Sequence, residues 1–150
     1  MNQIFSFESD FVDSLRCIPM QVRLKLDTCG IKLKLDHWHK FSHEERHSLL
    51  TLPCETEQDN QIYRQYLQSL VQQKTGAKAK TIQKDLHPAW QNKEEIPLEV
   101  QRKAAQFDAD LTVERWKALT ELQRFALIKL SRPSHENRNF YPAMQEFDLI

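Results

Sequence analysis

The chain has 150 residues, with 21 basic and 21 acidic side chains and a formal net charge of zero. Its length suits one domain with a substantial core, and its balanced charge excludes the surplus of Lys and Arg that nucleic-acid binding requires. No apolar run reaches the roughly 20 residues that cross a bilayer, so we expect no membrane partner. The N-terminus lacks a signal-peptide pattern, and three widely spaced cysteines are typical of reduced thiols. We therefore expect a cytoplasmic protein.

Two scarce glycines predict where helices end. Gly30 follows a candidate helix over residues 18–29, and Gly76 follows another over 57–75. Each glycine can adopt the left-handed conformation that closes a helix. Pro19 and Pro97 suit the first position of a helix, where a missing N–H has no effect. A β-rich domain would need more turn glycines, so we predict an all-α fold.

An amphipathic helix is predicted near 57–74, followed by a connecting segment, 77–95. The apolar side chains of the helix recur at helical spacing. They are Ile62, Tyr66, Leu67, Leu70 and Val71. The connecting segment has lysines before Glu94 and Glu95. This pattern favours a mobile, solvated linker, with contact to an acidic partner as the alternative.

The chain resembles itself when it is shifted by 78 residues. Residues 18–52 then align with 96–130 without a gap, and nine of the 35 positions are identical. The identical pairs are Ile18/Ile96, Pro19/Pro97, Val22/Val100, Lys25/Lys103, Leu33/Leu111, Trp38/Trp116, Arg46/Arg124, Leu49/Leu127 and Leu52/Leu130. Chance would give roughly two identities. We predict an internal duplication within a single domain that covers residues 1–150.

Each repeat contains a capping box that predicts the start of an apolar helix. Ser42 with Glu45, and Thr120 with Gln123, have the required spacing, so helices should begin near residues 43 and 121. A tryptophan lies four residues before each cap. We interpret Trp38 and Trp116, with the caps Ser42 and Thr120, as structural anchors of the two halves.

The sequence HEERH, residues 43–47, matches the HExxH motif of zinc peptidases. Its context argues against that chemistry, because the motif begins directly after a helix cap and Glu45 is needed for the capping box. We predict no enzyme activity and no cofactor. The residues with some capacity for metal binding are His43, His47, Cys17 and Cys54.

A polar stretch, LSRPSHENRNF, runs from Leu130 to Phe140 and opens the C-terminal polar turn, residues 131–150. One interpretation is structural: Arg132, Glu136 and Arg138 form an ion-pair network while asparagines bond the backbone. The other is a recognition patch in which the two arginines bind an anion or a carboxylate of a partner. Residue chemistry leaves both interpretations open.

Several runs in the chain are similar to the nitrate reductase-associated protein family, represented best by cyanobacterial accessory proteins. They are SLRCIPM, PCE and RFALIKLSRPSHENRNF, and the similarity extends from about Phe5 to the C-terminus. The resemblance implies a cytoplasmic protein that supports assimilatory nitrate reductase, which is then the expected partner. It implies no catalytic residue. The interaction candidates at matching positions are Arg16, Arg132, His135, Glu136, Asn137, Arg138 and Asn139.

Three functional hypotheses remain at this point. The first is a non-catalytic accessory protein of nitrate reductase, which acts through protein–protein interaction. The second is a carrier of a metal or an iron–sulfur cluster that uses either the cysteines, Cys17, Cys29 and Cys54, or the histidines, His37, His39, His43 and His47. The third is a sensor that binds an anion such as nitrate or nitrite.

Overall fold

A computed structural model describes residues 4–9, 17–133 and 137–150. Within these ranges the chain is mostly helical, which confirms the predicted fold class, and no helix is long and apolar enough to cross a bilayer. The α-helices are α1 Met20–Cys29, α2 Leu35–Lys40, α3 His43–Thr51, α4 Glu57–Thr75, α5 Leu98–Ala105, α6 Val113–Ala118, α7 Glu121–Ser131 and α8 Phe140–Glu146. Two short strands, β1 Ile31–Lys32 and β2 Lys80–Thr81, and three 3-10 turns, Ser6–Glu8, Ala89–Gln91 and Asn137–Asn139, complete the described elements.

The chain divides into two compact units. The first ends at Asp85 and the second begins at Leu86, while the short segment Phe5–Phe7 belongs to the second unit. The division falls inside the predicted connecting segment. The single domain remains a prediction.

The first unit is built around α4. Its buried face includes Leu67, Leu70 and Val71, as predicted, but Tyr63 instead of Ile62. Tyr63, Leu67 and Val71 are fully buried, whereas Ile62 is 51% exposed. Residues 63, 67, 70 and 71 form a stripe of i, i+4, i+7 and i+8, so the helix turns Tyr63 rather than Ile62 inward. The Tyr63 hydroxyl donates a hydrogen bond of 2.6 Å to the carbonyl of Leu49, which ties α4 to α3.

A buried lysine closes the end of α3. Nζ of Lys25, on α1, donates to the carbonyls of Leu50 and Leu52 at 2.6 and 2.5 Å. The last carbonyls of a helix have no partner within the helix, and a cation there also offsets the helix dipole. Lys25 therefore satisfies groups that the end of α3 would otherwise bury without a partner.

The start of the connecting segment is paired with the first unit, so the prediction of a mobile linker is wrong there. Strand β2 pairs antiparallel with β1, with Ile31 opposite Thr81 and Lys32 opposite Lys80. Ala79, just before β2, is buried, and the Gln68 side chain bonds both its N–H and its carbonyl. The pairing of β1 with β2 was not predicted, because a strand of two residues is too short to show the alternation of apolar and polar residues that identifies a strand.

The second unit is built around α7. Five of its apolar residues are at most 1% exposed, namely Phe125, Ala126, Leu127, Ile128 and Leu130. Phe140 and Met144 of α8 are also fully buried, and the Glu146 carboxylate accepts bonds from the N–H groups of Ser6 and Phe7, both at 3.0 Å. The second unit therefore holds the C-terminal helix through an apolar face and a carboxylate.

Elements separated by 78 residues begin at equivalent positions. Helices α1, α2 and α3 start at residues 20, 35 and 43, and α5, α6 and α7 start at 98, 113 and 121. Pro19 and Pro97 are N-caps rather than first helical residues, because their ψ angles of 147° and 141° are extended. The duplication remains a prediction, and these equal spacings support it.

A matched pair of glycine substitutions tests the turn between α1 and β1. Gly30 and Gly76 have φ angles of +75° and +86°, but only at Gly30 would a Cβ lie 2.8 Å from a backbone oxygen, that of Ile82. We expect Gly76→Ala to lower the free energy of unfolding by about 1 kcal/mol and Gly30→Ala by at least about 2 kcal/mol. Urea unfolding followed by circular dichroism measures both, and equal losses would contradict the steric argument.

Asp108 occupies the position equivalent to Gly30 and shares its left-handed conformation. Its φ is +56°, and the N–H of Ala109 bonds back to the carbonyl of Ala104 at 3.2 Å, which closes α5. A side chain is strained in this conformation, so Asp108→Gly should raise the free energy of unfolding by about 0.5–1 kcal/mol. Asp110→Gly is the control, since φ at Asp110 is not positive. It should give no gain in urea unfolding.

Candidate functional site

The polar turn begins where α7 ends. Arg132 is the C-cap of α7, and its half-exposed side chain forms an ion pair with Glu99 of α5 at 3.8 Å. The carboxylate partner of Arg132 in the described residues is thus on another helix of the second unit. An ion pair with this exposure stabilises by about 0–1 kcal/mol, so the guanidinium can exchange Glu99 for a partner at little cost.

Within the polar turn, residues Asn137–Asn139 form a single 3-10 turn that leads into α8. Arg138 is exposed and Asn139 is half-buried. Asn139 is the N-cap of α8, but its side chain makes no capping bond, so the predicted bond of that side chain to the backbone is not made at this cap. Arg16, His135 and Glu136, also named as interaction candidates, lie outside the described residues, as does the predicted ion-pair network through Glu136.

Two guanidinium groups, at Arg132 and Arg138, therefore lie on the described surface of the second unit. Each offers a planar set of N–H donors that matches a carboxylate or a phosphate in two parallel hydrogen bonds. The arrangement can recognise an anionic group on a protein or a small anion.

The HEERH motif is used to build the first unit. Ser42 Oγ accepts from the N–H of Glu45 at 3.1 Å, and the Glu45 carboxylate accepts from the N–H of Ser42 at 2.8 Å. Glu45 also forms an ion pair with Lys74 at 3.4 Å, while His43 and His47 are exposed. No three His, Cys, Asp or Glu side chains converge on a metal position in the described ranges. The middle of the motif thus serves the capping box.

The two tryptophans that were predicted as anchors lie in different units, Trp38 in the first and Trp116 in the second. Trp38 is 2% exposed and Trp116 is fully buried. Nε1 of Trp116 donates to the carbonyl of Asn92 at 2.9 Å, whereas Nε1 of Trp38 has no acceptor among the described residues. Thr120 caps α7 as Ser42 caps α3, by accepting from the N–H of Gln123 at 3.1 Å.

Two cysteines that are distant in sequence lie side by side. Sγ of Cys29, at the end of α1, is 3.7 Å from Sγ of Cys54, which lies between α3 and α4. Cys29 is buried, and Cys54 and Cys17 are partly buried. The sequence did not predict that Cys29 contacts Cys54, because no local spacing connects residues 25 positions apart. Only the path of the chain brings this pair together.

The two thiols do not have equal acidity. The hydrogen bond with Cys54 lowers the pKa of Cys29, and Arg64 and Lys84 add to this while burial opposes it. The same hydrogen bond, together with burial, raises the pKa of Cys54. Arg64 lies close, since its guanidinium donates to the carbonyl of Cys29 at 2.8 and 3.2 Å. Cys29 therefore loses its proton more readily than Cys54.

The chain is thus a helical protein with exposed arginines at Arg132 and Arg138 in one unit and a thiol pair in the other. The chain belongs to the conserved nitrate reductase-associated protein family, whose family model matches residues 4–147. This confirms the resemblance seen in the sequence. No curated protein and no solved structure matches the chain.

The capping carboxylate of Glu45 should make stability depend on pH. Its hydrogen bond from the Ser42 N–H, more than its contact with Lys74, lowers its pKa below the usual 4.5. Because the folded pKa is lowered, the stabilisation is complete above pH 4.5 and is lost as pH falls through the folded pKa. Glu45→Gln keeps the capping geometry, so it should lose less than about 1 kcal/mol at neutral pH and nothing in acid.

Thermal unfolding at several pH values measures this difference. Lys74→Met is the matched control, because it removes the ion pair and leaves the hydrogen bond from Ser42 in place. The Lys74→Met variant should lose a smaller part of the pH-dependent stability than Glu45→Gln does. A stability loss in Glu45→Gln that stays constant from neutral to acid pH would contradict the assignment.

Proposed function

We propose that the protein is a non-catalytic accessory protein that binds assimilatory nitrate reductase and supports its maturation, cofactor assembly or activity. The observation that carries the proposal is membership, over residues 4–147, of a family described by its association with nitrate reductase. The family description names an association rather than a reaction, which favours a binding role over a catalytic one.

The polar turn is the surface that we assign to the reductase. Arg132 and Arg138 are exposed cations, and among the described residues the Arg132 side chain forms a half-exposed ion pair with Glu99. Exposed arginines that lose little on changing partners suit recognition of carboxylates on another protein. Asn137 and Asn139 belong to the same turn, and we assign Arg16, His135 and Glu136 to the contact by their sequence positions.

Affinity capture tests the proposal. Tagged protein should retain nitrate reductase from extracts of nitrate-grown cells. The double variant Arg132→Glu/Arg138→Glu should retain at least about tenfold less, because it places like charges against the acidic surface of the partner. The matched control is Arg102→Glu, which reverses an exposed arginine of α5 in the same unit and should change retention by less than about twofold.

The possible results distinguish an error in the proposed partner from an error in the proposed contact surface. If the unaltered protein never retains the reductase, and its deletion leaves nitrate reduction intact, the accessory function is wrong. If the unaltered protein and the double variant retain equal amounts of reductase, the partner stands and the assignment of the polar turn is wrong. Circular dichroism of both variants shows whether each is folded.

A further inference from the structure

The geometry points to Cys29 and Cys54 as a reversible dithiol–disulfide site that reacts with low-molecular-weight disulfides. The inference concerns the first unit and does not depend on nitrate reductase as a partner. It begins from the 3.7 Å separation of the two sulfur atoms, which are close enough for a thiol hydrogen bond.

The separation is small enough for a covalent bond to form without rebuilding the fold. The sulfurs must approach by roughly 1.6 Å to reach the ~2.05 Å of a disulfide. Cys54 lies outside the helices and is partly exposed, so rotation of its side chain can supply a movement of this size. Cys29 is fixed at the end of α1, where Arg64 holds its carbonyl from α4.

The surroundings favour a thiolate on the buried member of the pair. The guanidinium of Arg64 donates to the backbone carbonyl of Cys29, and the positive charge of Lys84 also acts on this thiol. Positive charge next to a cysteine stabilises its thiolate, which is the nucleophile in disulfide exchange. Cys54 is the more exposed sulfur and is therefore the one that an external disulfide reaches.

The reaction has two steps. The Cys29 thiolate first takes the Cys54 proton across the hydrogen bond between the two sulfurs. The Cys54 thiolate attacks a disulfide RSSR, so a Cys54–SR bond forms and the RS–SR bond breaks, and the departing RS⁻ takes the proton from Cys29 and leaves as RSH. The Cys29 thiolate then attacks the Cys54 sulfur, so the Cys29–Cys54 bond forms and RS⁻ is expelled. Two electrons pass from the cysteines to RSSR, and excess RSH reverses both steps. The new bond joins the end of α1 to the segment between α3 and α4.

Oxidised and reduced glutathione, mixed over a series of ratios with the full chain, provide the test. After acid quenching and alkylation, the oxidised protein should be about 2 Da lighter than the reduced protein before alkylation and should accept one alkyl group instead of three. Trypsin places each cysteine in a separate peptide: residues 17–23, 26–32 and 47–64. The peptides 26–32 and 47–64 should be recovered as one cross-linked species.

Three comparisons make the test specific. Cys17→Ser should form the same bond at the same glutathione ratio, and Cys54→Ser should not form it, with circular dichroism to show that both variants fold. In concentrated urea the native chain should need a ratio at least about tenfold more oxidising, because unfolding removes the proximity of the two thiols. Any of three results would overturn the proposal. They are a glutathione adduct on Cys54 that is never replaced by the Cys29–Cys54 bond, a disulfide that includes Cys17, and three alkylated thiols at every glutathione ratio.

Discussion

In each unit an arginine closes the sharp turn between a short tryptophan-bearing helix and the apolar helix that follows. Arg46 donates through Nε and a terminal nitrogen to the carbonyl of Phe41, at 3.0 and 2.7 Å. Arg124 bonds the equivalent carbonyl of Leu119 and also that of Trp90, the latter at 2.7 Å. The carbonyls of Phe41 and Leu119 lie where one helix has ended and the next has not begun, so no helical N–H can reach them. Hydrogen bonds from a charged donor contribute about 1.5–3 kcal/mol each, and a buried carbonyl left without a donor is costly.

The differences between the units begin from this shared turn. The segment that follows the apolar helix carries Cys54 in the first unit and Arg132 at the equivalent position in the second. Cys29 likewise corresponds to Phe107, whose ring lies 5.1 Å from that of Tyr141. Equivalent positions therefore carry a thiol pair in one unit, and a guanidinium and an aromatic contact in the other. The proposed contact with the reductase and the proposed disulfide site therefore belong to different units.

Sequence reasoning succeeded where the signal is local. Capping boxes and a left-handed glycine satisfy backbone groups within a few residues, so the starts of α3 and α7 and the end of α4 could be read directly. It failed where tertiary contacts decide. The burial of Tyr63 in place of Ile62 depends on the rotation of α4, and the pairing of β1 with β2 depends on the return of the chain past Gly30. The contact of Cys29 with Cys54 has no sequence signature, because two distant elements create it.

We propose that the second unit recognises nitrate reductase through Arg132 and Arg138. Hydrogen–deuterium exchange of the protein, alone and with purified nitrate reductase, tests that assignment most directly, because it maps contact without any substitution. Slower exchange should be concentrated in peptides that contain Arg132 and Arg138, while α3 and α4 should be unchanged. Protection confined to the first unit, or exchange unaffected by saturating reductase, would contradict recognition through the second unit.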